Sequence, residues 1–223
     1  MRKTVIILSV LALVISGCGR NNRLKVLETK GENSVVSETT NTEQNTNLSS
    51  SIIQFIPENY AVLDTTSGDL NLDQYMDMIV VLKKKGEDTI SNAVEHPEKR
   101  PLLILLGQAD NIYKLVAHND NAVYCVDCGG MMRDPFMQIV IKNGYFSIEH
   151  GIAEGQHWEQ IITFKYDKIK DNWFLYKNHF VSYKLNDSND ENAEALVKDV
   201  DKLETERDFG TIPFDKFDIY EKH

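Results

Sequence analysis

The chain has 223 residues and a formal net charge of −10, with 34 Asp and Glu against 24 Lys and Arg. Phosphate backbones are gripped by clustered Lys and Arg. The only cationic run is Lys83-Lys84-Lys85, read as a solvated strand end, so nucleic acid is excluded as a partner.

The chain begins with two positive charges, Arg2 and Lys3, followed by an uncharged run from Thr4 to Gly17. Charge, apolar core and small residues before a cleavage point are the parts of a secretory signal peptide. The core is shorter than the roughly 20 residues a spanning helix needs, and no other apolar stretch is long enough. The ending Ile15-Ser16-Gly17-Cys18 resembles the lipobox of bacterial lipoproteins. The resemblance implies that Met1–Gly17 are removed and that Cys18 becomes the lipidated N-terminus, with the membrane as a partner through its lipid. The plainer alternative is a cleaved secretory signal with an incidental cysteine. One acyl chain holds a protein to a bilayer only marginally, whereas the two or three chains of bacterial lipoproteins make the anchor permanent. Removing Arg2 and Lys3 takes the formal net charge from −10 to −12. Gly19, rather than Asp, follows the cysteine. By resemblance to Gram-negative sorting rules this favours the outer membrane, facing the periplasm, with the inner membrane and the cell surface as alternatives.

Residues 18–51 read as a flexible tether. From Asn33 to Ser51, 13 of 19 residues are Ser, Thr or Asn, and none is aromatic. Such a segment buries too little apolar surface to offset its ordering entropy. As a coil of about 32 residues it reaches roughly 30 Å on average.

Residues 52–223 are the size of one domain. Their apolar residues fall in short runs rich in β-branched and aromatic side chains, bounded by turn residues. This predicts a mainly β fold, an antiparallel, sandwich-like single domain. The expected strands are Tyr60–Thr65, Asp77–Lys83, Leu102–Gly107, Ile112–Ala117, Ala122–Cys125, Phe136–Lys142, Tyr145–His150, Trp158–Tyr166 and Trp173–Tyr183. Ile162, Phe164 and Tyr166 alternate with Thr163 and Lys165, the period of a half-buried strand. Asn143-Gly144 is the strongest short hairpin signal in the chain, and Asp167–Asn172 reads as another hairpin turn. Residues 192–207 predict the one amphipathic helix, C-terminal, with Leu196, Val197, Val200 and Leu203 on one stripe. Asn189 or Asp190 would cap it, and Gly210 and Pro213 would stop it.

One segment carries metal-binding chemistry. Asp69-Leu70-Asn71-Leu72-Asp73-Gln74-Tyr75-Met76-Asp77 places oxygen side chains at positions 1, 3, 5 and 9, with the Tyr75 carbonyl at position 7. Alternate oxygens of this kind wrap a hard cation. It is not an EF-hand, because position 12 is Val80 and the flanks are strand-like. It resembles the calcium loop of FG-GAP (VCBS, integrin-α-type) repeats, a strand–loop–strand unit matched over about 20 residues. The resemblance implies structural calcium held by Asp69, Asn71, Asp73, Tyr75 and Asp77. The usual glycine is Gln74, and only one copy is present, too few for a propeller. The alternative is an Asx-rich turn held by its own hydrogen bonds.

Cys125 and Cys128 form a C-x-x-C pair, and in an oxidising compartment the expected state is a local disulfide. A strand before and Gly129-Gly130 after do not suit a thioredoxin-type site, which needs a helix N-terminus. No second pair supplies zinc ligands. Glu149, His150, Glu154, His157 and Glu159 are the densest titratable group, and exposed strand ends are their plainer reading.

These readings predict a non-enzymatic, envelope-anchored lipoprotein whose acidic domain binds an unidentified protein partner or has a structural accessory role. An immunity protein against a periplasm-targeted toxin is one form of it. The alternative is a carbohydrate- or peptide-binding module displaying Tyr145, Trp158 or Trp173. A hydrolase using Glu149, His150 or His157 ranks last.

Overall fold

The computed structural model describes residues 51–109, 112–132, 134–153, 157–188 and 192–221. The signal peptide, Cys18 and the tether as far as residue 50 lie outside the described residues, as do Glu154, Asn189 and Asp190.

Nine strands form two antiparallel meanders. β1 (Tyr60–Gly68), β2 (Asp77–Lys84), β3 (Leu102–Gly107) and β4 (Tyr113–Asn119) make a four-stranded sheet in sequence order. β5 (Phe136–Lys142), β6 (Tyr145–Ile152), β7 (Trp158–Asp167), β8 (Asn172–Leu185) and β9 (Leu196–Thr205) make a five-stranded one. The sandwich-like, mainly β expectation is met.

Local chemistry explains the elements. Asn143 and Gly144 adopt φ of 52° and 75°, the pair of positive values that a type I′ hairpin demands. They join β5 to β6 in the expected register. β2 is a continuous apolar run, buried from Asp77 to Leu82. Such a run needs cover on both faces of its sheet. Ile79, Val81 and Ile104 face the five-stranded sheet, meeting Phe146, Ile148, Ile162 and Phe164 in the main core. Met78, Val80, Leu82, Leu103 and Leu105 point the other way, under Ile52 and Phe55 at the N-terminal end of the domain.

At one side of the sandwich, β1 lies against β5, and the Thr66 hydroxyl donates to the Ile139 carbonyl at 3.1 Å. At the other, the segment after β9 straps the sheets together. Leu175 N–H donates to the Ile212 carbonyl at 2.8 Å, and Ile219 N–H to the Asn121 carbonyl at 2.9 Å. Buried Asn119 donates to the carbonyls of Phe214 and Phe217. Phe214 meets Phe146 and Phe164 edge-on, at centroid distances of 5.5 and 5.3 Å.

Two expected elements are overturned. Ala122–Cys125 is a loop, although Ala122, Val123 and Cys125 are buried. Its apolar residues fill the core without a ladder. The helix expected over residues 192–207 is instead mostly strand β9, and only Glu206–Phe209 is helical. Fourteen-residue β8 extends an edge, and β9 pairs along it from Lys177↔Thr205 to Leu185↔Leu196. The apolar stripe is not a docking face, since Val200 is 40% and Leu203 54% exposed. The interspersed charges act across strands, as in Lys184–Asp199 at 3.0 Å and His179–Asp201 at 2.8 Å. Opposite charges placed this way support pairing.

Candidate functional site

The β1–β2 loop holds the five expected calcium ligands. Its turns are made by its own polar side chains. The Asp69 carboxylate accepts the N–H groups of Asp73 and Gln74 at 3.2 and 3.1 Å. Asn71 accepts Asp73 N–H and donates to the Asp73 carboxylate at 2.8 Å. Asp73 in turn accepts Tyr75 N–H at 2.8 Å. Gln74, at the glycine position, has a φ of 74°, so it takes the left-handed turn despite its side chain. Asp69, Asn71 and Asp73 share the solvent side of the loop, while Asp77 is fully buried. Asp77 accepts Leu70 N–H at 2.7 Å and Gly107 N–H at 2.9 Å. Burial raises its pKa, against the lowering effect of those two bonds. Among the described residues no three His, Cys, Asp or Glu converge as a metal cage. The donor types suit a hard cation at the rim, and Asp77 braces the loop from inside.

Cys125 and Cys128 are disulfide-bonded, with Cα atoms 5.1 Å apart. Asp127 between them accepts from the Ser91 hydroxyl at 2.6 Å and Ala93 N–H at 2.7 Å. The same turn adjoins a group that sequence reasoning missed. Arg100, fully buried, donates to both oxygens of Asp134 at 2.7 Å and to Glu87. Burial opposes its charge, but the hydrogen bonds it donates to these carboxylates prevail and raise its pKa. Lys99-Arg100-Pro101 gave no sequence signal, because its partners lie 13 and 34 residues away.

Among the described residues, the titratable group around His150 does not form one site. Successive residues of a strand face opposite ways. His150 turns into the core and is 1% exposed, while Glu149 faces out to Gln138 at 2.7 Å. Tyr124 N–H donates to His150 Nε2 at 3.3 Å, and Nδ1 has no partner. Burial, with Arg100 nearby, pushes the His150 pKa down to about 3. His157 pairs instead with Glu159 at 3.5 Å. Trp173 is core, with its indole N–H on the Leu70 carbonyl at 3.3 Å. Trp158 stacks on Phe180. Tyr145 alone of the three aromatics stands on the outer sheet face, against Tyr176.

A cleft of about 930 Å³ runs along β4, the edge strand of the four-stranded sheet. Eight consecutive residues, Lys114 to Asn121, line it. Its far wall is the β7–β8 turn with Asp171 and the strap with Asp215, Asp218 and Glu221. A bulge at Val116 interrupts the β3–β4 register. Leu115 and Val116 are 40% and 39% exposed. An edge strand offers backbone N–H and C=O groups to an incoming strand, and this one lies along a cleft with acids on its opposite wall.

The chain matches no family model, no curated protein and no solved structure.

Proposed function

We propose that this is a non-enzymatic, envelope-anchored lipoprotein that binds an extended segment of a protein partner along the β4 edge. The lipid on Cys18 holds the domain at the membrane, and the tether lets it stand off. The observation that carries the reading is the cleft lined by Lys114–Asn121. Main-chain hydrogen bonds to a sheet edge supply affinity, and pockets for alternate side chains supply specificity. Across the cleft Lys216 pairs with Asp215, and the remaining acids, Asp171, Asp218 and Glu221, favour a segment bearing Lys or Arg. Neutralising a toxin, as an immunity protein does, is one form of this role. Calcium has a structural part only, at the rim formed by Asp69, Asn71, Asp73 and the Tyr75 carbonyl.

The test is capture from solubilised envelope with the lipidated protein and with Leu115→Lys and Val116→Lys. Charged side chains on an edge block strand addition. Capture of a defined partner should fall about tenfold or more, equivalent to 1.4 kcal/mol. Equal capture by both variants refutes the edge reading.

A further inference from the structure

We propose that the outer face of the five-stranded sheet binds an anionic oligosaccharide over Tyr145 and Tyr176. The register places Lys142, Tyr145, Lys165 and Phe174 in one row across four strands. The next row is Val140, Ser147, Thr163 and Lys177. The bulge in β8 adds Tyr176 between the rows. A depression of about 410 Å³ lies over these residues except Lys165 and Phe174, which border it, and none of its lining residues is a carboxylate. That is unusual in a chain with 34 Asp and Glu.

The positive charges are held in place. Tyr145 and Tyr176 meet edge-to-face with centroids 5.3 Å apart. The Lys165 ammonium sits 5.6 Å from one ring centroid and 5.8 Å from the other, and that of Lys177 is 5.1 Å from Tyr176. A cation over an aromatic face is stabilised by the ring quadrupole. Among the described residues no acid forms an ion pair with Lys142, Lys165 or Lys177. An anion arriving here breaks no existing pair, and part of the ordering cost of the lysines is already met. Ser147 and Thr163 share a 2.9 Å hydroxyl–hydroxyl bond at the floor, where sugar hydroxyls find donors and acceptors.

The depression is within the size range of small-ligand sites. A saccharide fits better than an acidic peptide, because the depression opens on the face of the sheet and offers tyrosine rings and hydroxyls, reaching a strand edge only at β5. It fits better than a bilayer, because the surface is concave. The global negative charge of the protein repels long polyanions, which favours short ones. This site is independent of the β4 edge, on the opposite sheet.

The experiment is an NMR titration of the tethered protein with tetragalacturonate and with a sulfated tetrasaccharide. Maltotetraose, a polyglutamate peptide and vesicles containing phosphatidylglycerol are the comparisons. At least one anionic saccharide should shift the signals of Ser147, Thr163 and Lys177. The double variant Lys142→Glu, Lys177→Glu should weaken that binding about tenfold or more, with unchanged melting temperature, and added salt should weaken it further. Tyr176→Ala should weaken it without the change in salt dependence. The proposal is overturned if neither anionic saccharide binds or charge reversal leaves binding intact. It is equally overturned if maltotetraose or polyglutamate binds as well, or if vesicles bind and the saccharides do not.

Discussion

Replacing Asp77 by Ala tests how the β1–β2 loop is fastened to the sheet. The Asp77 carboxylate is fully buried and satisfies two backbone N–H groups, those of Leu70 and Gly107. Leaving one buried N–H without a partner costs about 1–3 kcal/mol, so two cost about 2–6. Removing a carboxylate whose ionised form burial disfavours returns part of that. A net loss of about 3 kcal/mol corresponds to roughly 6–12 °C in melting temperature for a domain of this size. The adjoining Gly107 leaves no room for adjustment, because a Cβ there would overlap the Met76 carbonyl oxygen. Asp77→Asn should cost about half as much, since its amide keeps one acceptor. The pH dependence has a definite sign. The folded-state pKa of Asp77 is raised, so protonation favours the folded state, and that contribution is lost as pH rises through the raised pKa. The wild type should therefore gain on Asp77→Asn as pH falls toward 3.8, the unfolded-state value. Thermal melts by circular dichroism over a pH series measure both effects. If Asp77→Ala melts within a degree or so of an exposed control such as Glu58→Ala, the fastening argument fails.

His150 gives the opposite sign. Its folded pKa of about 3 lies below the ordinary imidazole value of 6.5, so the unfolded chain takes up the proton first. Stability present above pH 6.5 should decline on acidification toward 3, by at most about 1.4 kcal/mol per pH unit from this group. His150→Gln should flatten that slope, and an imidazole signal that titrates near 6.5 in the folded protein would contradict the burial. Reducing Cys125–Cys128 opens a loop of only four residues, so the chain-entropy loss is about 2 kcal/mol, or roughly 4–8 °C. A melt unchanged by reductant would show that the turn is held by Asp127 and its partners alone. Added calcium should raise the melting temperature by mass action, and Asp73→Ala should abolish the rise. If neither calcium nor EDTA moves the melt, the rim holds no cation.

Much of the sheet was legible in the sequence because strand signals are local. Alternation in Ile162, Phe164 and Tyr166 marked an inward face, and Asn143-Gly144 marked the β5–β6 turn. Both depend on dihedrals and side-chain direction within a few residues. The same locality misled at residues 192–207. Leu196, Val197, Val200 and Leu203 satisfy a helical period, but β8 offers a long unpaired edge, and the cross-strand bonds outweigh a propensity worth tenths of a kcal/mol per residue.

The antiparallel β class, most strand positions, the cysteine pair and the polar loop at Asp69–Asp77 could be read from the residues alone. Where charge ended up depended on how the strands came together. Glu87, Arg100 and Asp134 converge although 13 and 34 residues separate the arginine from its partners. Asp77, expected beside Asp73 on a cation, turns inward because Gly107 from another hairpin presents an N–H there. Lys142 and Lys177 line one carboxylate-free depression, with Lys165 beside it, because strand register, not sequence distance, sets which side chains are neighbours.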